Sequence, residues 1–559
     1  MKIESVSING FRNLVNFRIE FSEIKTVLIG QNASGKSNFL EAIVLIFKQL
    51  DFPKKNILKE YLFEYEIIYT IYNKKVKIIR RIIDGKAKFE YKLYTGKKNI
   101  LNEEVFDNIV SFTKNRNEYL PRYIFAYYSG LGNSNRLEEH FKDHKADFAR
   151  RAKKMTKELP SYPRMLYAEL IHSQLSLFSF FIEDENLNSK ENIKNFLLKN
   201  LEIEDIKSVL FTITEPDWAT TQGKLKEPKF FDSEGVVKNL LYHLHDNVAF
   251  APFRDRIKNS GGLYEKKFKK EIDVVYLFID NFKKIRDFVK ENKWTAFDLF
   301  HVLNTANVSK LISKEGIKIR VKKKFANKLL FRDLSEGEQQ LLTVLGLMRF
   351  TKTDEALFLL DEPDTHLNPL WQWKYMDFID EIVFKNSKDK LGVQVIMTSH
   401  APLTIGGLKK EEVRILKQVD DKIITSLPDQ DPKGMGVAGI LTEIFDIPST
   451  LDIATNDQLE RRRHIESMIY NLEKNSIPLP NEENLRDIRT ELETLNKELD
   501  NLGISRITRD PMFQEFQAHF DNAINYKKSL QRPLTIEEQI ERDTLMEKIM
   551  KELIEKQGI

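Results

Sequence analysis

Four short stretches of this sequence hold residue types whose spacing can do chemistry. The run Gly30-Gln31-Asn32-Ala33-Ser34-Gly35-Lys36-Ser37 sets two glycines before a lysine and a hydroxyl. Glycines let backbone N–H groups curl inward, so a loop of this kind cradles phosphate. Gly30, Asn32, Ser34, Gly35 and Asn38 are assigned to that cradle. Lys36 is assigned to the outer phosphates, and the Ser37 hydroxyl to a Mg²⁺ ion. Asp361 and Glu362 end an apolar run, Ala356 to Leu360. Asp361 is expected in the Mg²⁺ shell, and Glu362 is the candidate general base that polarises an attacking water. Two further stretches, Leu334-Ser335-Glu336-Gly337-Glu338-Gln339 and the strand-end His400, complete the set. Together they read as machinery for cleaving a nucleoside triphosphate.

The elements needed to position these residues are present. The strand TVLIG leads into the first loop, and a helix with Phe39, Leu40, Ile43, Val44 and Phe47 on one face leads out. ALFLLDE and VQVIMTSH are apolar almost throughout, as strands buried on both faces of a parallel sheet must be. Ser335 and Glu338 have the spacing of a capping box. A capped helix N-terminus with a glycine beside it also presents free donors to an anion.

Residues 1–136 read as strands with one helix, and Asp84-Gly85 signals a hairpin turn. Residues 137–315 turn to helical spacing, residues 316–428 return to strands, and residues 429–559 are helical. In that last stretch Leu485, Ile488, Leu492, Leu495, Leu499 and Leu502 form a short coiled-coil seam, with Leu459 to Leu472 as its antiparallel partner. Phe513, Phe516 and Phe520 make a second apolar stripe. Both stripes either dock a partner or pack back on the rest of the chain.

Composition narrows the class. At 559 residues the chain exceeds a single ordinary core. Hydrophobic content is 41%, charged content 31% and net charge only +4, so bulk charge decides nothing about nucleic acid. The count of cysteines is zero, which removes disulfides, thiol catalysis and thiolate metal sites. The N-terminal stretch is too polar for a signal peptide and no apolar run spans a membrane, so a cytoplasmic location is expected. His243 and His245 lack nearby partners for a closed metal site.

The order of parts, phosphate loop, signature segment, carboxylate pair and strand-end histidine, resembles ABC-type ATPases of the RecF/SMC-like branch. That resemblance implies an α/β fold, an ABC-type P-loop head with a mixed sheet and an antiparallel lobe. A helical insertion and a helical C-terminal extension complete it. It implies ATP and Mg²⁺ as cofactors and hydrolysis of ATP to ADP and phosphate. Ser335 and Gly337 would then bind the γ-phosphate held by a second copy of the chain, although Glu336 stands where the family usually has glycine. His400 looks like the switch histidine, and Asp364 like the D-loop residue that faces the second copy. Phe11-Arg12-Asn13 resembles the motif that places an arginine near the nucleotide; otherwise Arg12 is a solvated turn residue. Tyr128-Ser129-Gly130 stands where a Q-loop glutamine is usual.

Overall likeness is to the Septu-type anti-phage ATPases (PtuA), including retron-linked versions. It rests on YYSG, FRDLSEGEQQLL, LFLLDEPDTHLNP and MTSHAP. It implies an ATP-sandwiched homodimer or higher assembly that regulates a separately encoded HNH-type nuclease. In retrons a reverse transcriptase and its RNA–DNA product join the complex. The alternative is a RecF-like repair ATPase that binds DNA itself. Basic clusters at Arg150 to Lys154, Lys266 to Lys270 and Arg320 to Lys324 support the alternative unless they are merely solvated faces.

Overall fold

We describe the fold from a computed structural model. It describes residues 1–504 except 53–62, 85, 96–101, 107–111, 113, 130–133, 155–161, 183–192, 217, 220–227, 259–270, 325, 352–354, 385–391, 421, 475–481 and 503, together with 544, 547, 548 and 551. The chain divides into two compact units, Met1–Gly434 and Met435–Ile559.

The first unit holds three sheets. Strands β1 (Lys2–Asn9), β2 (Phe17–Glu20), β4 (Glu64–Ile71), β5 (Lys74–Ile83), β6 (Lys86–Thr95) and β7 (Asn102–Phe106) form an antiparallel sheet ordered β2-β1-β4-β5-β6-β7. The expected hairpin turn is present: Ile83 pairs with Lys86, and Asp84 takes φ 51°. A second sheet is parallel apart from its last strand. It contains β3 (Lys25–Ile29), β8 (Tyr123–Tyr128), β9 (Met165–Tyr167), β15 (Ala356–Asp361), β16 (Val393–Thr398), β17 (Val413–Val419) and β18 (Lys422–Ser426), in the order β18-β17-β3-β16-β15-β8-β9. β3, β15 and β16 are buried at every position, because both faces of this sheet are covered.

Helix α1 (Lys36–Asp51) follows β3 and joins the core shared by these two sheets. Its amphipathic sequence pattern understates its burial: every residue after Asn38 is buried, including Glu41, Lys48 and Asp51. Each buried charge is paired, as burial requires. Glu41 meets Arg12 and His140; Lys48 meets Asp143 at 3.0 Å; Asp51 meets His144 at 2.9 Å and Arg164 at 3.1 Å. Three of these partners lie on α2 (Ser134–Lys154), which is thereby clamped to the helix behind the phosphate loop.

The third sheet corrects the sequence reading of residues 137–315 as helical. β10 (Ile203–Thr214), β11 (Phe250–Lys258) and β12 (Glu271–Ile279) lie in that stretch. They join β13 (Ile312–Lys323) and β14 (Ala326–Leu330) in the order β11-β12-β10-β13-β14. Register shifts along the β10–β13 ladder break the two-residue alternation that would have marked β10 as a strand. Helices α3 (Ile171–Ile182) and α4 (Ala296–Val308) are also present, so the stretch is mixed.

The expected segment boundaries also move. Position 136/137 falls inside α2, and 315/316 falls inside β13. The expected second lobe over residues 316–428 divides: β13 and β14 pair with the third sheet, whereas β15 to β18 interleave with β3. Helices α5 (Glu336–Thr351) and α6 (Pro369–Ile379) complete the unit.

In the second unit, α7 (Ile453–Lys474) and α8 (Glu482–Asn501) pair antiparallel. Gln458 bonds Glu498 at 2.9 Å and Arg461 bonds Glu491 at 2.8 Å. Ile465 and Leu499 are buried, while Leu492 and Leu495 stay half-buried and Leu502 is 58% exposed. The stripe of Phe513, Phe516 and Phe520 lies outside the described residues.

Candidate functional site

The phosphate loop runs from the end of β3 to the start of α1. Gly30 has φ 151°, and Gly35, which caps α1, has φ 85°. Both values lie where side-chain-bearing residues are strained. Space imposes the same choice, since a Cβ on Gly30 would collide with the Leu416 carbonyl of β17. Asn32 is exposed at the turn, whereas Ser34 and Lys36 are buried. The Lys36 ammonium donates to the carbonyls of Gly30 at 2.8 Å and Gln31 at 2.9 Å. Burial lowers its pKa to about 8, against the opposing pull of Glu362 and Asp361.

Asp361 ends β15 and lies beside the loop. Its carboxylate accepts from the Ser37 hydroxyl, and from Thr398 Oγ1 at 2.6 Å. Burial is the main influence on Asp361 and raises its pKa. Thr398 also accepts from the Glu362 N–H at 2.9 Å, so one hydroxyl aligns both carboxylate residues. Glu362 takes φ 51°, a strained conformation that turns its side chain out of the strand direction. His400 Nε2 sits 3.3 Å from Glu362 Oε1. That contact, the largest influence on Glu362, holds its carboxyl below the usual range, so it is ionised at neutral pH, as a base must be. Ser129 N donates to the Asp361 carbonyl at 3.2 Å, which places Tyr128-Ser129 at this end of the sheet.

Lys36, Ser37, Asp361, Glu362 and His400 therefore converge. Among the described residues no cluster of three or more His, Asp or Glu can hold a metal alone. Ser37 and Asp361 supply two hard oxygen donors in contact. These fit Mg²⁺, which would take the rest of its shell from phosphate and water and offset phosphate charge when bound.

Ser335 and Gly337 belong to a second cluster at the start of α5. The capping box read from sequence is present: Glu338 N donates to Ser335 Oγ at 3.3 Å, and Ser335 N donates to Glu338 Oε2 at 2.9 Å. Lys323 of β13 pairs with Glu338. A Cβ on Gly337 would stand 2.7 Å from the His366 carbonyl, so glycine is required there for packing within the chain.

The contacts reassign Asp364 and add detail for Arg12. Asp364, expected to face a second copy of the chain, turns inward instead. It accepts from Ser399 Oγ at 2.5 Å and Thr404 Oγ1 at 2.6 Å, and burial raises its pKa. Its carboxylate braces the corner that carries His400, because two buried hydroxyls there need an acceptor. Arg12 stands in an exposed turn, but its side chain is anchored. Its guanidinium forks onto buried Glu41 and reaches Asn38 Oδ1 at 2.9 Å. Its neighbour Asn13 donates to the Ala33 carbonyl at 2.8 Å, so this motif abuts the phosphate loop through Asn13. Sequence reasoning missed Thr398, Ser399 and Glu41. The polar pair in MTSH, at the end of a mostly apolar strand, was the available signal for the first two.

The lowered pKa of Lys36 has a measurable consequence. Phosphate binding needs the ammonium, which the free protein loses as pH rises through about 8. ATP affinity is expected to fall about tenfold between pH 7 and pH 9 if the bound lysine stays protonated. Calorimetric titration across that range measures it, and a flat profile would contradict the assigned contact.

The pattern of a family described as "AAA ATPase domain" matches residues 1–405. The DNA replication and repair proteins RecF of Listeria welshimeri serovar 6b and Nostoc punctiforme are each 44% identical over 46 residues. Those residues are 8% of this chain and 12% of the relatives' length. Among solved structures, an SMC head bound to the C-winged helix domain of ScpA has a TM-score of 0.33 at 14% identity. RecF-ATP, a recombination mediator protein in the RecFOR pathway, has 0.27 at 16%. Each alignment covers 76% of this chain and 98% of the other, and scores this low carry no functional weight. A family match over most of the chain, on the segment that holds the converging loop, carboxylates and histidine, means that the chain belongs to the AAA ATPase domain family and is an ATPase.

Proposed function

We propose that two copies of this chain close around ATP, and that the resulting cycle regulates a separately encoded HNH-type nuclease in cytoplasmic anti-phage defence. In retron-linked form the assembly includes a reverse transcriptase and its RNA–DNA product. The observation that carries the reading is the division of parts. The loop, Asp361, Glu362 and His400 converge, while the capped signature segment forms its own cluster around Glu338 and His366. A second copy would present that helix N-terminus to the γ-phosphate. The second unit carries a half-buried leucine seam, suited to a protein partner. No helix among the described residues is long and apolar enough to cross a membrane.

The test is co-expression with the gene beside it, which should encode the nuclease. The pair should co-purify and protect cells from phage. Removing residues after Gly434 should leave ATP binding intact but abolish co-purification. A shortened protein that still holds the nuclease would move the docking surface to the first unit.

A second reading has its own support. The 44% identity to RecF over 46 residues favours a DNA-binding repair ATPase equally. Salt-dependent DNA binding by the chain, with no nuclease gene nearby, would select it.

A further inference from the structure

One face of the third sheet is packed as expected. Val209, Phe211, Val275, Leu277, Ile317 and Ile319 are buried, and Phe178 of α3 meets Phe211 edge-on at 5.4 Å. The open face of such a sheet ordinarily carries polar side chains. Here it carries aromatic ones. Phe250 is 71% exposed, Phe253 58% and Phe278 38%.

The register aligns them. Phe250 pairs with Phe278, Phe278 with Leu210, and Leu210 with Lys318, which makes one row across four strands. Directly paired residues share a face. A second row runs from Phe253 through Tyr276 to Thr212, and the Phe253 and Tyr276 rings stack at 4.8 Å. Phe250 and Phe253 share the face although three residues apart, because Ala251 takes φ 45° and the ladder shifts register between them. On β13, Lys318 and Arg320 are exposed on this face and make no ion pair among the described residues. Asp255 on one side and the Lys322–Glu204 pair on the other bound the rows. Residues 259–270, which link β11 to β12, carry four lysines against one glutamate.

We propose that this sheet face binds single-stranded nucleic acid. The phenylalanine and tyrosine rings would stack on bases, and Lys318 and Arg320 would meet the backbone. Flat aromatic rows offer unpaired bases a stacking surface that a duplex cannot use. Three strand spacings, about 14 Å, suit two or three nucleotides. This surface lies on a different sheet from the ATP site, and the proposal does not depend on the nuclease partnership.

The test uses the full chain with fluorescent (dT)20 and (rU)20 strands and a duplex of mixed sequence, read by anisotropy. The wild type should bind one or both single strands more tightly than the duplex. Which of the two is favoured identifies DNA or RNA. Phe250→Ala/Phe253→Ala should weaken binding at least about thirtyfold while leaving ATP hydrolysis and thermal stability unchanged, since both rings are exposed. Lys318→Ala/Arg320→Ala should lower the slope of log affinity against log salt by about 1.4. Three results would overturn the proposal: no strand binding by the wild type, equal binding by the phenylalanine variant, or loss of a protein partner in that variant with strand binding intact. Unchanged ATPase and nuclease control in a variant that no longer binds strands would leave the regulatory reading standing.

Discussion

Glu362→Gln is expected to lower ATP hydrolysis about a hundredfold or more while leaving ATP affinity within a few-fold of wild type. The loss is the low end for a general base. The change keeps the size of the side chain and the backbone N–H bond to Thr398 at 2.9 Å. It removes the ionised carboxylate that His400 holds at 3.3 Å. Lys36, Ser37 and Asp361 are untouched, so binding has no reason to fail. Single-turnover hydrolysis beside a binding titration separates the two quantities. Wild-type turnover in this variant would remove Glu362 from the role of base.

The second large effect is expected from Lys36→Ala, which should weaken ATP binding by at least a hundredfold. It deletes a cation aimed into the loop, in a site where burial strengthens each charge interaction. The same variant tests whether the site is shared. Gly337 is a poor partner for that experiment, because any side chain there meets the His366 carbonyl within its own chain. Ser335→Arg is preferable: it removes only a cap worth about 1 kcal/mol and obstructs the helix N-terminus. Each variant alone should be inactive. Mixed, they should regain up to one working site per heterodimer. An inert mixture in which heterodimers demonstrably form would refute the shared site.

The chemistry was legible in the sequence to an unequal degree. The loop from Gly30 to Ser37 needs left-handed backbone and close approach, and glycine is the residue that permits both, so the motif reads locally. The role of Glu362 could be placed on a strand end from its apolar lead. The strained φ and the Thr398 hydroxyl that hold it there could not, because residues 362 and 398 lie far apart in the chain. Asp364 shows the opposite failure. Its motif pointed outward, but Ser399, just past β16, and Thr404, in the short helix Pro402–Ile405, draw the carboxylate inside.

What the sequence by itself determined is whatever local periodicity and backbone chemistry encode. That includes the phosphate loop, the capping box at Ser335 and Glu338, the Asp84-Gly85 turn and the almost wholly apolar strands β15 and β16. A strand covered on both faces must be apolar nearly throughout, wherever its neighbours come from. Tertiary structure alone decided which strands those neighbours are. It placed β3 between β16 and β17, and it joined β10 to β13 across a stretch that reads as helical. It also turned Phe250 and Phe253 to one face through a register shift at Ala251. Strand pairing is a contact between distant segments, and a register shift changes the facing of every residue beyond it. Neither can be deduced from the local pattern.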